Sequence, residues 1–306
     1  MENGLFVKKS ELNNKVFNFN DLKEQFINYL DVSRKTIETY DIALKQFNNY
    51  LLENNISNPV RVDIINYREM LKEQHKPTTV NSYLIALRNF FKYLEYEGIY
   101  KNITDNVKGI KLERVHLKEG LSEIEIRNVL NVCETQREKL IIKLMINLGL
   151  RCNELCNIRL DDFYKDEEYV MLRVLGKGRD GYKQDSIKVD PRLFAEIQEY
   201  VSDNEITDYL FTSTSNRNTN GQLTTKTIRL IVKELFKKAN VENIDMKSAH
   251  SLRHSTTMTL LDNGVPLQEV SEYMRHKNIA TTMIYAKELD QKKSQCTNIV
   301  ANMLYN

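Results

Sequence analysis

Few features of this chain stand out by abundance. Cysteine is scarce, with only Cys133, Cys152, Cys156 and Cys296 among 306 residues, which excludes a disulfide-stapled scaffold. The N-terminus, Met1-Glu2-Asn3-Gly4-Leu5-Phe6-Val7, lacks a basic stretch leading into an apolar one. The expectation is therefore no signal peptide and a reduced, cytoplasmic protein. No apolar run approaches the length that spans a bilayer, so no membrane partner is expected. There is no internal repeat and no low-complexity tract. Charge of one sign is also missing: 44 Lys and Arg offset 42 Asp and Glu, leaving a net charge of +2. That balance neither requires nor excludes nucleic acid, since a clamp can be basic inside and acidic outside.

Hydrophobic residues make up 41% of the chain, enough for ordinary cores, and the length suits two domains. Residues 1–18 are polar and aperiodic and read as a loose N-terminal arm. From Phe19 the apolar spacing becomes helical, first at Leu22, Phe26, Ile27 and Leu30. A helix capped by Ser33 carries Tyr40, Leu44, Phe47, Tyr50 and Leu51, and a third covers Val62–Gln74. Pro77 opens a fourth, lined by Val80, Tyr83, Leu84, Leu87, Phe90, Phe91 and Leu94. Residues 19–104 thus form a helical bundle. Residues 105–118 read as a linker in which Lys108, Lys111, Arg114 and Lys118 outnumber the acids. Such a segment suits a chain crossing a DNA backbone, and equally a solvated loop.

A second domain, 119–306, opens on a capping box at Ser122 and Glu125. An apolar helix over 137–149 follows, then β-prone runs at Tyr169–Leu175 and Ser186–Val189. Between these lies Gly176-Lys177-Gly178-Arg179-Asp180-Gly181, where three of ten glycines cluster as a hairpin tip. Helices are expected at about 191–202, 225–239, 250–263, 267–275 and 280–287. The fold class is mainly α with a small β-sheet. Cys152 and Cys156, one helical turn apart, have no matching Cys/His pair nearby, so they read as buried thiols rather than half a metal site.

The chemistry-bearing residues are Arg151, Lys177, His250, Arg253, His276 and Tyr285. Breaking a phosphodiester requires a nucleophile, charge neutralisation on the non-bridging oxygens and a proton for the leaving oxygen. Arg151 and Arg253 can grip phosphate bidentately. His250 lies three residues before Arg253, on one helix face, and can take a proton. His276 can add a hydrogen bond, and Lys177 on its glycine hinge can supply the proton. Tyr285 is one of 16 tyrosines, with an ordinary phenol pKa of about 10, and needs that positive field to react. Alone, His-x-x-Arg or Gly-Lys-Gly is a common pattern; the order and spacing together carry the reading.

On these residues the chain resembles the tyrosine recombinases, the phage-integrase and Xer-type site-specific recombinases. The resemblance runs from about residue 19 to 290. It is carried by Leu148-Gly149-Leu150-Arg151-Cys152-Asn153-Glu154-Leu155, Gly176-Lys177-Gly178, and Ala249-His250-Ser251-Leu252-Arg253-His254. It continues through Leu260-Leu261-Asp262-Asn263-Gly264-Val265-Pro266 to Arg275-His276 and Thr281-Thr282-Met283-Ile284-Tyr285. The family implies an N-terminal SAM-like core-binding bundle and a mixed α+β catalytic domain. It implies Arg151 and Arg253 as stabilisers of the pentavalent phosphate, Lys177 as general acid, His250 as base, His276 as phosphate support and Tyr285 as nucleophile. Glu154 takes the supporting acidic position, propping an arginine by an ion pair. Arg88, Lys108 and Lys111 are expected DNA contacts. No metal or other cofactor is expected. The implied partners are a double-stranded DNA recombination site and other protomers, four in a synapse, or a related recombinase subunit. The C-terminal apolar residues Ile299, Val300, Met303 and Leu304 would dock on a neighbouring protomer, or else fold back on their own domain.

The chain departs from the family in two places. A glycine usually precedes the second histidine, and here it is Arg275, which alters the local turn or adds a phosphate contact. The hairpin carries an unexpected Asp180, and Lys183 is an alternative acid to Lys177. The alternatives to recombination are a type IB topoisomerase-like relaxing activity and a non-catalytic sequence-specific DNA-binding protein.

Overall fold

The structure, a computed structural model, describes all residues other than 1–3, 8–15, 112–118, 179–180, 214–220, 294–295 and 306. It is mainly helical with two small antiparallel sheets, and it divides into two compact units, residues 1–115 and 116–306.

The first unit opens with paired strands, β1 (Gly4–Val7) and β2 (Val16–Asn18). This differs from the loose arm expected over 1–18. The pairing brings together short segments separated in sequence, which local periodicity does not report. Four helices follow: α1 (Phe19–Tyr29), α2 (Arg34–Glu53), α3 (Arg61–Gln74) and α4 (Pro77–Tyr96). Ser33 caps α2 by accepting from the Thr36 amide, and Pro77 occupies the first position of α4, where no amide donor is needed. Their apolar faces close on an aromatic core. Phe19, Phe26, Phe47, Tyr67, Phe90 and Phe91 are fully buried, each worth about 1.5–3 kcal/mol in transfer from water. Phe26 meets Phe90 edge-on at 5.4 Å, and Phe47 meets Tyr67 at 5.1 Å.

Residues 105–111 are mostly exposed, yet their backbone is hydrogen-bonded to this unit. Val107 is buried, and Asn81 both donates to the Ile110 carbonyl and accepts from its amide. Side chains of α3 and α4 satisfy this backbone in place of a regular element, so its helical periodicity is weak.

The second unit begins with α5 (Glu123–Asn131), whose Ser122 and Glu125 form the reciprocal capping box. Next come α6 (Gln136–Asn147), α7 (Cys152–Cys156) and a three-stranded sheet in the order β3 (Phe163–Asp166), β4 (Tyr169–Gly178), β5 (Gly181–Val189). Leu172 and Val174 of β4 and Ile187 and Val189 of β5 are buried on one face. The remaining helices are α8 (Pro191–Asp203), α9 (Thr225–Lys238), α10 (Ala249–Asp262), α11 (Leu267–Tyr273), α12 (Ala280–Lys293) and α13 (Cys296–Tyr305). Helix α10 is the hub. Residues Ser251 to Thr257 are all buried, and it packs on α6, α9, α11 and α12. A helix buried on every side carries no amphipathic stripe, and its polar residues must find internal partners. No helix among the described residues is long and apolar enough to cross a membrane.

Candidate active site

Helix α6 ends at Leu148, and Gly149 turns the chain with φ +55°. The dihedral favours glycine, and a Cβ there would sit 2.8 Å from the Met274 sulfur and methyl, so that side chain would have to shift. The turn delivers Arg151 to the start of α7. Glu154, 4% exposed, reaches back to it: Oε2 accepts from the Arg151 amide at 2.9 Å, and Oε1 pairs with Nη1 at 2.5 Å. Burial alone would raise the Glu154 carboxyl, but Arg275 and Arg151 outweigh it and hold it below the usual carboxylate range.

Helix α10 supplies Arg253 and, one turn earlier, His250. Arg253 is 2% exposed, and its Nη1 donates to the Gly149 carbonyl. Its Nη2 is buried without a hydrogen-bond partner among the described residues. An unpaired buried guanidinium nitrogen costs about 1–3 kcal/mol or more, and here it is a donor ready for an anion. Burial, then repulsion from Arg151 and Arg275, lowers its pKa to about 9, opposed by Glu154 and Tyr285. It remains charged at neutral pH.

Tyr285 of α12 is 6% exposed and lies between two histidine rings. His254 meets it edge-on at 4.4 Å, and His276 lies parallel at 6.5 Å. The Nδ1 of His276 is 2.8 Å from the hydroxyl of the fully buried Thr282. Burial, followed by Arg253, Arg151, His250 and Arg275, pushes His276 down to about 4, so its ring is neutral at pH 7.

Arg275 keeps the turn that a glycine would make. Its φ is +52°, its amide donates to the Glu272 carbonyl, and the His276 amide donates to that of Ser271. These are the paired bonds that end a helix in a left-handed residue, which costs a non-glycine about 1–2 kcal/mol. Its side chain, 5% exposed, turns inward: Nη2 pairs with Glu154 at 3.0 Å and donates to the Gly149 carbonyl at 3.1 Å.

These groups line one cavity of about 1210 Å³ in the second unit, with Arg151, His250, Arg253, Arg275, His276 and Tyr285 on its wall. Five of the six expected catalytic positions therefore meet. Lys177 lies on β4, opposite Tyr182, in the strand whose Leu175 reaches the cavity wall. The side chains of Lys177 and Lys183, and Asp180 altogether, fall outside the described residues. Cys156 is buried, and burial pushes its thiol up to about 12. In the first unit, Arg88 donates to the Val107 carbonyl at 2.8 Å, while Lys108 and Lys111 are exposed.

Sequence reasoning missed Arg275 as a partner of Glu154, His254 as a wall for Tyr285, and Thr282 as the anchor of His276. Only Arg275 left a signal, as a long cation where a turn favours glycine.

The phage integrase family model matches residues 119–292, and the model of the phage integrase N-terminal SAM-like domain matches residues 24–98. The tyrosine recombinase XerA of Pyrococcus horikoshii is 29% identical over 265 residues, covering 80% of this chain and 88% of that protein. XerA of Thermococcus kodakarensis is 30% identical over 219 residues, covering 71% and 73%. Among solved structures, XerH site-specific recombinase bound to palindromic difH substrate, a post-cleavage complex, aligns with a TM-score of 0.72 at 22% identity, covering 93% of this chain and 86% of that one. A lambda integrase dimer bound to a COC' core site aligns at 0.68 with 15% identity, covering 87% and 76%. These last two are likenesses of fold.

Proposed function

The chain belongs to the phage integrase family and is a tyrosine-type site-specific recombinase; from that premise we propose how its own residues share the work on double-stranded DNA. Tyr285 Oη attacks the scissile phosphorus, and its proton passes to His250. The bond to the 5′ oxygen breaks, and Lys177 protonates that oxygen as it leaves. The product is a 3′-phosphotyrosyl bond that keeps the phosphodiester's energy, so a 5′ hydroxyl from another strand reverses the step without a nucleotide cofactor. Two rounds of exchange pass through a Holliday junction.

Arg151 and Arg253 hold the non-bridging oxygens, where charge grows in the pentacoordinate state. Neutral His276, oriented by Thr282, adds a hydrogen bond to the phosphate, and Glu154 props Arg151. The observation that carries this reading is the convergence of Arg151, His250, Arg253, His276 and Tyr285, from separate segments, on one cavity.

Strand exchange between two sites uses four protomers. Helix α13 leaves Ile299, Val300, Met303 and Leu304 exposed at 53–77%, and this face docks on a neighbouring protomer. Arg88, Lys108 and Lys111 contact the DNA backbone from the first unit.

The test begins by selecting a bound duplex from a random library. A nicked version is then incubated with the protein and run on a denaturing gel. Wild type forms a covalent adduct and Tyr285→Phe forms none. Absence of the wild-type adduct, or its persistence in Tyr285→Phe, rejects the assignment. Relaxation of supercoiled plasmid without paired sites would instead favour the topoisomerase-like activity.

A further inference from the structure

Arg275 is held in a backbone conformation that disfavours it, and such strain persists where the surroundings over-determine it. Here the surroundings are five hydrogen bonds from one guanidinium. Nη1 donates to the carbonyls of Tyr273 at 2.8 Å and Leu148 at 3.3 Å. Nη2 donates to Leu148 at 3.3 Å, Gly149 at 3.1 Å and Glu154 at 3.0 Å. Leu148 and Gly149 end α6, so a cation there also meets the negative end of that helix. The contact is reciprocal, because Arg151 Nη2 donates to Arg275's own carbonyl at 3.1 Å.

We propose that Arg275 is a positioning residue for strand cleavage: it clasps the end of α6 to Glu154 and raises the charge of the arginine cluster to match the pentacoordinate phosphorus. This rests on reading Arg151 and Arg253 as the phosphate grip. Three arginines and one glutamate carry a formal net charge of +2. A glycine at 275 would leave +1. A bound phosphodiester bears one negative charge and the pentacoordinate state bears two, so the added cation acts on the reacting state more than on binding. The clasp also divides Glu154. Oε1 takes the Arg151 guanidinium, and Oε2 takes the Arg275 guanidinium beside the Arg151 amide, with Arg253 Nη1 4.0 Å from Oε2. Without Arg275 that oxygen turns to Arg253 and neutralises a phosphate ligand.

The experiment compares full-length wild type, Arg275→Gly and Arg275→Lys. Glycine suits φ +52°, which offsets part of the lost hydrogen bonds, and the urea midpoint of Arg275→Gly checks that it folds. On the nicked selected duplex, Arg275→Gly keeps its affinity within about twofold while the rate constant for adduct formation falls about tenfold or more. Arg275→Lys, which keeps the charge but not the fork, recovers part of that rate. A second arm needs no cleavage. Orthovanadate, tetrahedral when free and pentacoordinate once the Tyr285 hydroxyl adds to it, raises the melting temperature of wild type more than of Arg275→Gly, while inorganic phosphate shifts both alike. A wild-type adduct rate in Arg275→Gly overturns the proposal, as does a loss of affinity that accounts for the whole fall in rate. Equal vanadate shifts overturn it even if wild type forms no adduct, the result that would reject the recombinase assignment itself.

Discussion

The Oε2 of Glu154 pairs with Arg275 at 3.0 Å, although the two residues lie 121 positions apart. The same carboxylate pairs with Arg151, three positions away, through Oε1. One buried acid thus ties the turn after α6 to the turn after α11, beside the proposed phosphate grip. Removing its charge leaves three guanidiniums without a counter-ion. Glu154→Gln should lose about 3–5 kcal/mol of stability, read from urea denaturation, because breaking a buried pair strands the remaining charges.

His276 sets a pH dependence. Its ordinary pKa is 6.5, and its folded value is about 4. Below pH 6.5 the unfolded chain binds a proton that the folded chain refuses, so stability falls as pH drops toward 4. The full shift corresponds to about 3 kcal/mol; with partial exposure about 1–2 kcal/mol is expected. The measurement is the difference between wild type and His276→Gln in urea midpoints from pH 7 to pH 4. The subtraction separates the imidazole from carboxylates such as Glu154, whose lowered pKa also withdraws stability in acid.

Thr282 orients that imidazole. Thr282→Val removes the hydroxyl 2.8 Å from Nδ1 and should change the ring's tautomer populations, read as the 15N shifts of His276. The adduct-forming rate should fall with little change in DNA affinity, since the hydrogen bond proposed for the ring is to the reacting phosphate.

Gly149 is held at φ +55° against Met274. Gly149→Ala should destabilise the chain by about 1–3 kcal/mol in chemical denaturation. It should also slow adduct formation, because the Gly149 carbonyl anchors both Arg253 and Arg275.

Much of this was legible in the residues. Spacing of Phe, Tyr and Leu gave the helices of the first unit, and Ser122 with Glu125 marked the start of α5. Order and spacing picked Arg151, His250, Arg253, His276 and Tyr285 as one group, and all five line one cavity. The strand pair before Asn18 was not legible, because its pairing is non-local. The anchoring of residues 105–111 was also hidden, since side chains from distant helices satisfy that backbone. Arg275 looked like a departure, with either a changed turn or a phosphate contact in prospect. The structure keeps the turn and directs the side chain to Glu154.

The sequence by itself determined most of the helices and the chemical inventory, because periodicity, capping and residue type act locally. Tertiary structure alone decided the environment of each group. Burial and neighbouring guanidiniums made His276 neutral, and packing left a donor of Arg253 unpaired among the described residues and brought Glu154 to Arg275. Those effects depend on distances of a few ångströms between segments more than a hundred residues apart, which only the packed fold sets.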